Sequence, residues 1–142
     1  MRIASVGTAF PPHRYPQTVI TQALKEKMRD KLDMPDIMDR LHNNCGVDFR
    51  HIMFPLDTLG TFSDFGTSND LWIKGALELG QEAIQKALDQ VELVPGDISA
   101  IFFTSVTGIA CPSFDALLVN LTGFSHHVKW TPIFGLGCVA GA

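Results

Sequence analysis

Among the residues able to do chemistry, Cys138 has the most telling surroundings. It follows Trp130-Thr131-Pro132-Ile133-Phe134, an apolar run that reads as a short strand with one proline. It stands within Gly135-Leu136-Gly137-Cys138-Val139-Ala140-Gly141-Ala142, whose small residues suit a tight turn into a helix. A thiol where a strand hands over to a helix lies against unpaired N–H groups and the positive end of the helix dipole. That setting favours the thiolate, which is the nucleophilic form. Two readings compete. A cysteine among small residues is often a small core residue. Gly135-x-Gly137-x-x-Ala140 also satisfies the dinucleotide-binding pattern G-x-G-x-x-G/A. That pattern belongs to the first strand-helix turn and needs an acidic residue about twenty positions later, where this sequence has only Gly141 and Ala142.

The other candidates carry less. Cys45, Cys111 and Cys138 are odd in number, widely spaced and form no C-x-x-C pair, so they indicate neither a disulfide framework nor a zinc site. Reduced thiols are the default. The adjacent His126 and His127 point in different directions in most backbones, and no metal is assigned to them. With 142 residues, 46% apolar and 18% charged, the chain has the composition of one globular domain. A net charge of −4 offers no electrostatic case for nucleic acid or an anionic membrane, which leaves a small-molecule protein. Pro11 and Pro12 cut short any signal-like apolar run, and no stretch approaches the eighteen apolar residues of a membrane span, so the chain reads as soluble and cytoplasmic.

The elements that must position Cys138 follow from periodicity. Ile3 to Thr8 reads as an opening strand, closed by Phe10-Pro11-Pro12. A helix from about Thr18 carries Ile20, Leu24, Met28 and Leu32 as one stripe, and a shorter helix after Pro35 ends at Gly46 and bears Arg40 and His42. Val47 to Phe54 suits a strand and Pro55 to Thr67 a loop. Ser68-Asn69-Asp70 then offers caps for a long helix over Leu71–Val91, whose Ala76, Gly80, Ala83 and Ala87 form a stripe of small side chains for close packing. Ile98 to Val106 is an almost continuous apolar run, best read as a strand buried on both faces. A helix over Ser113–Leu121 and the strand leading to Cys138 complete the order. Strands alternating with helices give an α/β fold, helices packed on a mixed sheet. The sequence ends four residues after Cys138, and a one-turn helix is marginal, so the chain is expected to be the front portion of a larger protein.

At Ile133-Phe134-Gly135-Leu136-Gly137-Cys138-Val139-Ala140-Gly141-Ala142 the sequence resembles the nucleophile segment of bacterial type III polyketide synthases, chalcone and stilbene synthase-like enzymes of the thiolase fold. The resemblance extends over nearly the whole chain. It includes Phe65-Gly66-x-x-Asn69-Asp70, Ser105-Val106-Thr107-Gly108-Ile109-Ala110 and Pro112-Ser113-x-Asp115-Ala116. It implies the first half of the αβαβα layered fold, residues 1–142 forming an N-terminal thiolase-like domain that lacks its second half, and a homodimer.

The resemblance further implies that Cys138 takes an acyl-CoA starter as a thioester and extends it by decarboxylative condensation with malonyl-CoA, with no cofactor. A thiolate nucleophile and a thioester donor suit those two steps. The family's catalytic histidine and asparagine belong to the second half, so the 142-residue chain alone is expected to be inactive. Arg40 matches an arginine that contacts the CoA phosphates, a role suited to its fixed planar charge, while Ile37 and Asn44 replace the lysines that accompany it in plant enzymes. Val106, Thr107 and Cys111 fall at the substrate pocket. Cys111 stands where plant enzymes carry a methionine that crosses the dimer interface, and the small Val106 and Cys111 suggest a roomier cavity. The alternatives are a ketoacyl-ACP synthase of the third type or a hydroxymethylglutaryl-CoA synthase, told apart by the basic patch a carrier protein needs, and a non-catalytic half-domain.

Overall fold

A computed structural model describes residues 2–29, 36–58, 60–62 and 64–139, and of Cys138 the backbone. The chain divides into two units: Phe10–Phe62, and Met1–Ala9 together with Ser63–Ala142.

In the Phe10–Phe62 unit, β1 (His13–Pro16) pairs antiparallel with β2 (Phe49–Ile52), Tyr15 opposite Arg50. The Phe10-Pro11-Pro12 segment was expected only to close a strand, yet β1 begins directly after it. Pro16 sits at the end of β1, where its missing N–H breaks no later rung, and Gln17 takes over by donating to the Asp48 carbonyl at 2.8 Å. Helix α1 (Gln17–Lys27) buries Ile20 and Thr21, and α2 (Asp36–Asn44) stops where Gly46 adopts φ +66°. Lys25 pairs with Asp39, and the Thr21 hydroxyl lies 2.7 Å from His42 Nδ1, so polar contacts fasten α1 to α2. Leu32 and Pro35 of the expected stripe and helix start lie outside the described residues.

The second unit holds the cysteine-bearing turn. Helix α3 (Phe65–Asp89) runs 25 residues and starts earlier than expected. Asp64, not Ser68-Asn69-Asp70, is its cap: the carboxylate accepts the Thr67 N–H at 2.8 Å and the Thr67 hydroxyl at 2.7 Å. The backbone bond from Thr67, followed by its hydroxyl, holds the Asp64 carboxyl below its ordinary pKa. The cap's stabilisation is therefore complete above the ordinary aspartate value of about 3.9 and disappears as pH falls through the lowered folded-state value. In full-length protein, Asp64→Ala is expected to melt at a lower temperature at neutral pH and to converge with the unmodified protein in acid. Thermal melts followed by circular dichroism across that range check it, and a gap that persists in acid would rule out the charged cap as the cause.

Strand β3 (Ala100–Ser105), helix α4 (Phe114–Thr122) and strand β4 (Lys129–Phe134) form a strand-helix-strand unit, β3 parallel to β4 with Phe103 opposite Pro132. Phe114, at the start of α4, is the packing centre. Its ring stacks on Phe103 at 4.1 Å and meets Trp72 at 5.6 Å, and burying such a side chain contributes roughly 1.5–3 kcal/mol. The small-residue stripe of α3 does the packing foreseen for it. A Cβ on Gly80 would come within 3.3 Å of Leu118, and the backbone of Gly7 lies directly on Ala83 and Ala87. Helix α4 ends at Gly123, φ +75°.

Three expectations change. Residues 3–8 join no ladder among the described residues. They lie along α3, tied by the Ser5 hydroxyl to the Ala87 carbonyl at 2.7 Å and by Gln90 to the Val6 carbonyl at 3.0 Å. Strand β3 is not buried on both faces. Ile101, Phe103 and Ser105 turn inward while Phe102 is 71% exposed, because α4 packs on one face of the pair, with α3 against α4. Among the described residues the expected mixed sheet is two separate pairs, β1 with β2 and β3 with β4. Asp115 in α4 is 0% exposed, and its carboxylate oxygens meet no donor among the described residues.

Candidate active site

Because β3 and β4 are parallel, their carboxyl ends lie side by side, and the loops that leave them emerge at the same end of the pair. Crevices outside the carboxyl ends of parallel strands are where α/β proteins bind ligands. The pairing runs one residue past β4, the Gly135 N–H donating to the Ser105 carbonyl at 3.3 Å. Gly135 (φ +89°) and Gly137 (φ +61°) then bend the chain through the left-handed region. A Cβ built on either would touch nothing within 4 Å, so the dihedral angle, and not lack of room, asks for glycine there. A 3-10 turn, Gly137–Val139, follows with Cys138 in its middle. The expected strand-to-helix junction is thus present as a strand-to-turn junction. One 3-10 turn aligns few peptide dipoles, and the helix foreseen beyond it lies outside the described residues.

Against these strand ends sits a cavity of about 290 Å³, walled by Trp72 of α3, Phe103 and Ser105 of β3, Phe114 of α4, the Gly108–Ala110 stretch and residues 132–134 of β4. Its wall is largely aromatic and aliphatic, with the Ser105 hydroxyl among the few polar groups, and its size is near the lower limit for small-molecule sites. The loop after β3 is held from one side. Asn69 of α3 donates through Nδ2 to the Ile109 carbonyl at 2.7 Å and accepts the Ile109 N–H at 2.8 Å. Gly108 lies flat on Trp72, where an added Cβ would stand 2.0 Å from the indole.

Val106, 47% exposed, and the exposed Thr107 and Cys111 belong to this loop but do not line the cavity; Ser105, Gly108, Ile109 and Ala110 do. The reason is the contact with Trp72, which only a residue without a side chain permits and which turns the Gly108–Ala110 stretch inward. Arg40 is exposed on α2, in the Phe10–Phe62 unit, and has no ion pair or hydrogen bond among the described residues. Asn69 and Trp72 escaped notice as site residues. Asn69 stood in the Phe65-Gly66-x-x-Asn69-Asp70 segment of the family resemblance and among the expected helix caps, three positions before a tryptophan, but neither reading gave it a role at the site.

A family model described as the N-terminal domain of chalcone and stilbene synthases matches residues 1–142. The chain belongs to the chalcone and stilbene synthase family. It is 40% identical over 140 residues to a 1,3,6,8-tetrahydroxynaphthalene synthase of Streptomyces peucetius subsp. caesius, covering 99% of this chain and 37% of that protein. The corresponding synthase of Streptomyces coelicolor is 36% identical over 135 residues, 92% of this chain and 36% of that one. The crystal structure of the tetrahydroxynaphthalene synthase of Streptomyces coelicolor A3(2), a bacterial type III polyketide synthase, superposes with a TM-score of 0.86 at 30% identity, over 97% of this chain and 40% of that one. The α/β, thiolase-like fold class therefore stands, and the chain spans less than half the length of these relatives. Among the described residues no helix is long and apolar enough to cross a membrane.

Proposed function

We propose that the protein acts, in its full-length form, as a type III polyketide synthase in which residues 1–142 are the nucleophile-bearing N-terminal domain. The observation that carries this reading is the position of Cys138, on a glycine-flanked turn at the carboxyl ends of β3 and β4, beside an apolar cavity, in a chain matched by the family along its length. In the first step the Cys138 thiolate attacks the thioester carbonyl of an acyl-CoA, forming an enzyme thioester and expelling CoA as its thiolate, which takes up a proton. Malonyl-CoA then loses carbon dioxide, and the resulting acetyl-CoA enolate attacks the enzyme thioester. A carbon-carbon bond forms, the Cys138 sulfur leaves as thiolate, and a chain longer by two carbons stays on CoA. Splitting acyl transfer from extension replaces one difficult step by two feasible ones.

Arg40 is the proposed contact for the CoA phosphates, and its exposed guanidinium, without an ion pair among the described residues, supports that role. Val106, Thr107 and Cys111 are proposed for the substrate pocket of a homodimer. Their exposure, with Ile109 57% exposed beside them, suits a loop that a second copy covers. The exposed free thiols of Cys45 and Cys111 favour a reducing compartment, the cytoplasm.

The test is to incubate full-length protein with acyl-CoA labelled in its acyl group, then quench and map the peptides. Label is expected on the peptide containing Cys138, and label that persists in Cys138→Ala would refute the assignment.

A further inference from the structure

We infer that Asn69 is a positioning residue that sets the width of the cavity beside the Cys138 turn and thereby the number of extensions the enzyme performs. The inference rests on the condensing activity proposed above. Asn69 and Trp72 are three residues apart and so share one face of α3. Asn69 satisfies both backbone groups of Ile109, donating to its carbonyl at 2.7 Å and accepting its N–H at 2.8 Å, as a neighbouring strand would. One turn along, Trp72 receives the backbone of Gly108 so closely that an added Cβ would lie 2.0 Å from the indole ring. Among the described residues, the only other hydrogen bond of residues 106–112 runs from the Thr107 N–H to the Ser105 hydroxyl, at 3.3 Å. The Gly108–Ala110 wall therefore stands where α3 puts it.

Capping does not account for Asn69. Asp64 caps α3, and both of the Asn69 hydrogen bonds go to Ile109, forty residues away in sequence. The wall residues 132–134 belong to β4 and are fixed by pairing with β3, whereas the loop has no ladder to hold it, so the loop is the adjustable part of the wall. In about 290 Å³ a small displacement of Ile109 matters, since one methylene more or less in an apolar pocket changes selectivity by about tenfold or more.

The experiment uses the full-length enzyme with one acyl-CoA starter and malonyl-CoA. Mass spectrometry gives the ratio of products that differ by one extension, and amide exchange reports on Ile109. Asn69→Ala is expected to change the product ratio about tenfold and to speed exchange of the Ile109 N–H. Asn69→Asp keeps the acceptor for the Ile109 N–H, loses only the donor to its carbonyl, and should shift the ratio less. If Asn69→Ala does not fold, Asn69→Asp carries the test on the same readouts. Faster exchange with an unchanged ratio would mean that the clamp serves only folding, and unchanged exchange that it does not hold the loop. Either result overturns the inference alone. A wild-type enzyme that makes no condensation product would instead overturn the functional reading, and this inference with it.

Discussion

Full-length protein carrying Cys138→Ala is expected to form no condensation product, its turnover falling on the order of 10³-fold or more, because in the proposed mechanism the residue removed carries the growing chain covalently. A lost hydrogen-bonding group slows a step, whereas a lost carrier atom removes the intermediate through which both steps run. Neither remaining cysteine is a ready substitute. Cys45 lies in the Phe10–Phe62 unit with its thiol directed to the His42 carbonyl at 3.0 Å, and Cys111 lies on the loop after β3, which lacks the glycine-bent turn that carries Cys138 after β4. Cys45→Ser is the control that retains activity. Steady-state product formation, with a thermal melt on the same preparation to separate loss of chemistry from loss of fold, gives the answer. Turnover in Cys138→Ala within tenfold of wild type would remove the cysteine from the mechanism.

The largest effect expected on stability is that of Gly7→Ala. A Cβ on Gly7 would stand 2.0 Å from the Ala83 carbonyl oxygen and 2.7 Å from the Ala87 nitrogen, both backbone atoms of a helix that cannot step aside. The segment could instead lift away, but Ser5, Val6 and Thr8 hold it on both sides of Gly7 through bonds to Ala87, Gln90 and Lys86. Giving those up costs about 1 kcal/mol each, close to the upper range of about 3 kcal/mol for overpacking, so neither route offers relief. At about 2–4 °C per kcal/mol, the melting temperature of full-length protein should fall by roughly 6–12 °C. Gly108→Ala makes an equally close nominal contact, but with the Trp72 side chain, which borders open volume and can swing. Its fall in melting temperature should be smaller, and the reverse order would show that α3 yields more readily than the indole does.

What the sequence made legible is what local pattern controls. The 3.6-residue period of α3 and the small stripe facing its neighbours, the Gly123 stop of α4, and the strand before Cys138 could all be read in order, because each is fixed by residues close together in the chain. What was not legible depends on distant partners. Residues 3–8 have a strand's composition, but whether they find a ladder or a helix to lie along is decided about eighty positions away, at Ala87 and Gln90. β1 was hidden by the prolines before it, and its pairing with β2 is visible only once Tyr15 meets Arg50. The same holds at the site. Cys138 was singled out through its glycines, whereas Asn69 makes its hydrogen bonds to Ile109, forty residues on, and no spacing within α3 reports that.

The proline of β4 has a consequence for what can happen at the outer side of that strand. Lys129 donates to the Ser99 carbonyl and Gly135 to the Ser105 carbonyl, so the odd-numbered residues direct their N–H groups toward β3 and the even-numbered ones direct theirs away. Pro132 therefore falls in the outward row, between Trp130 and Phe134, which are 48% and 59% exposed. An exposed, apolar strand edge is otherwise a template on which stray chains polymerise into extended sheets. A chain docking here would miss a rung at the centre of the row and meet a pyrrolidine ring in its place, so this apolar edge carries its own interruption.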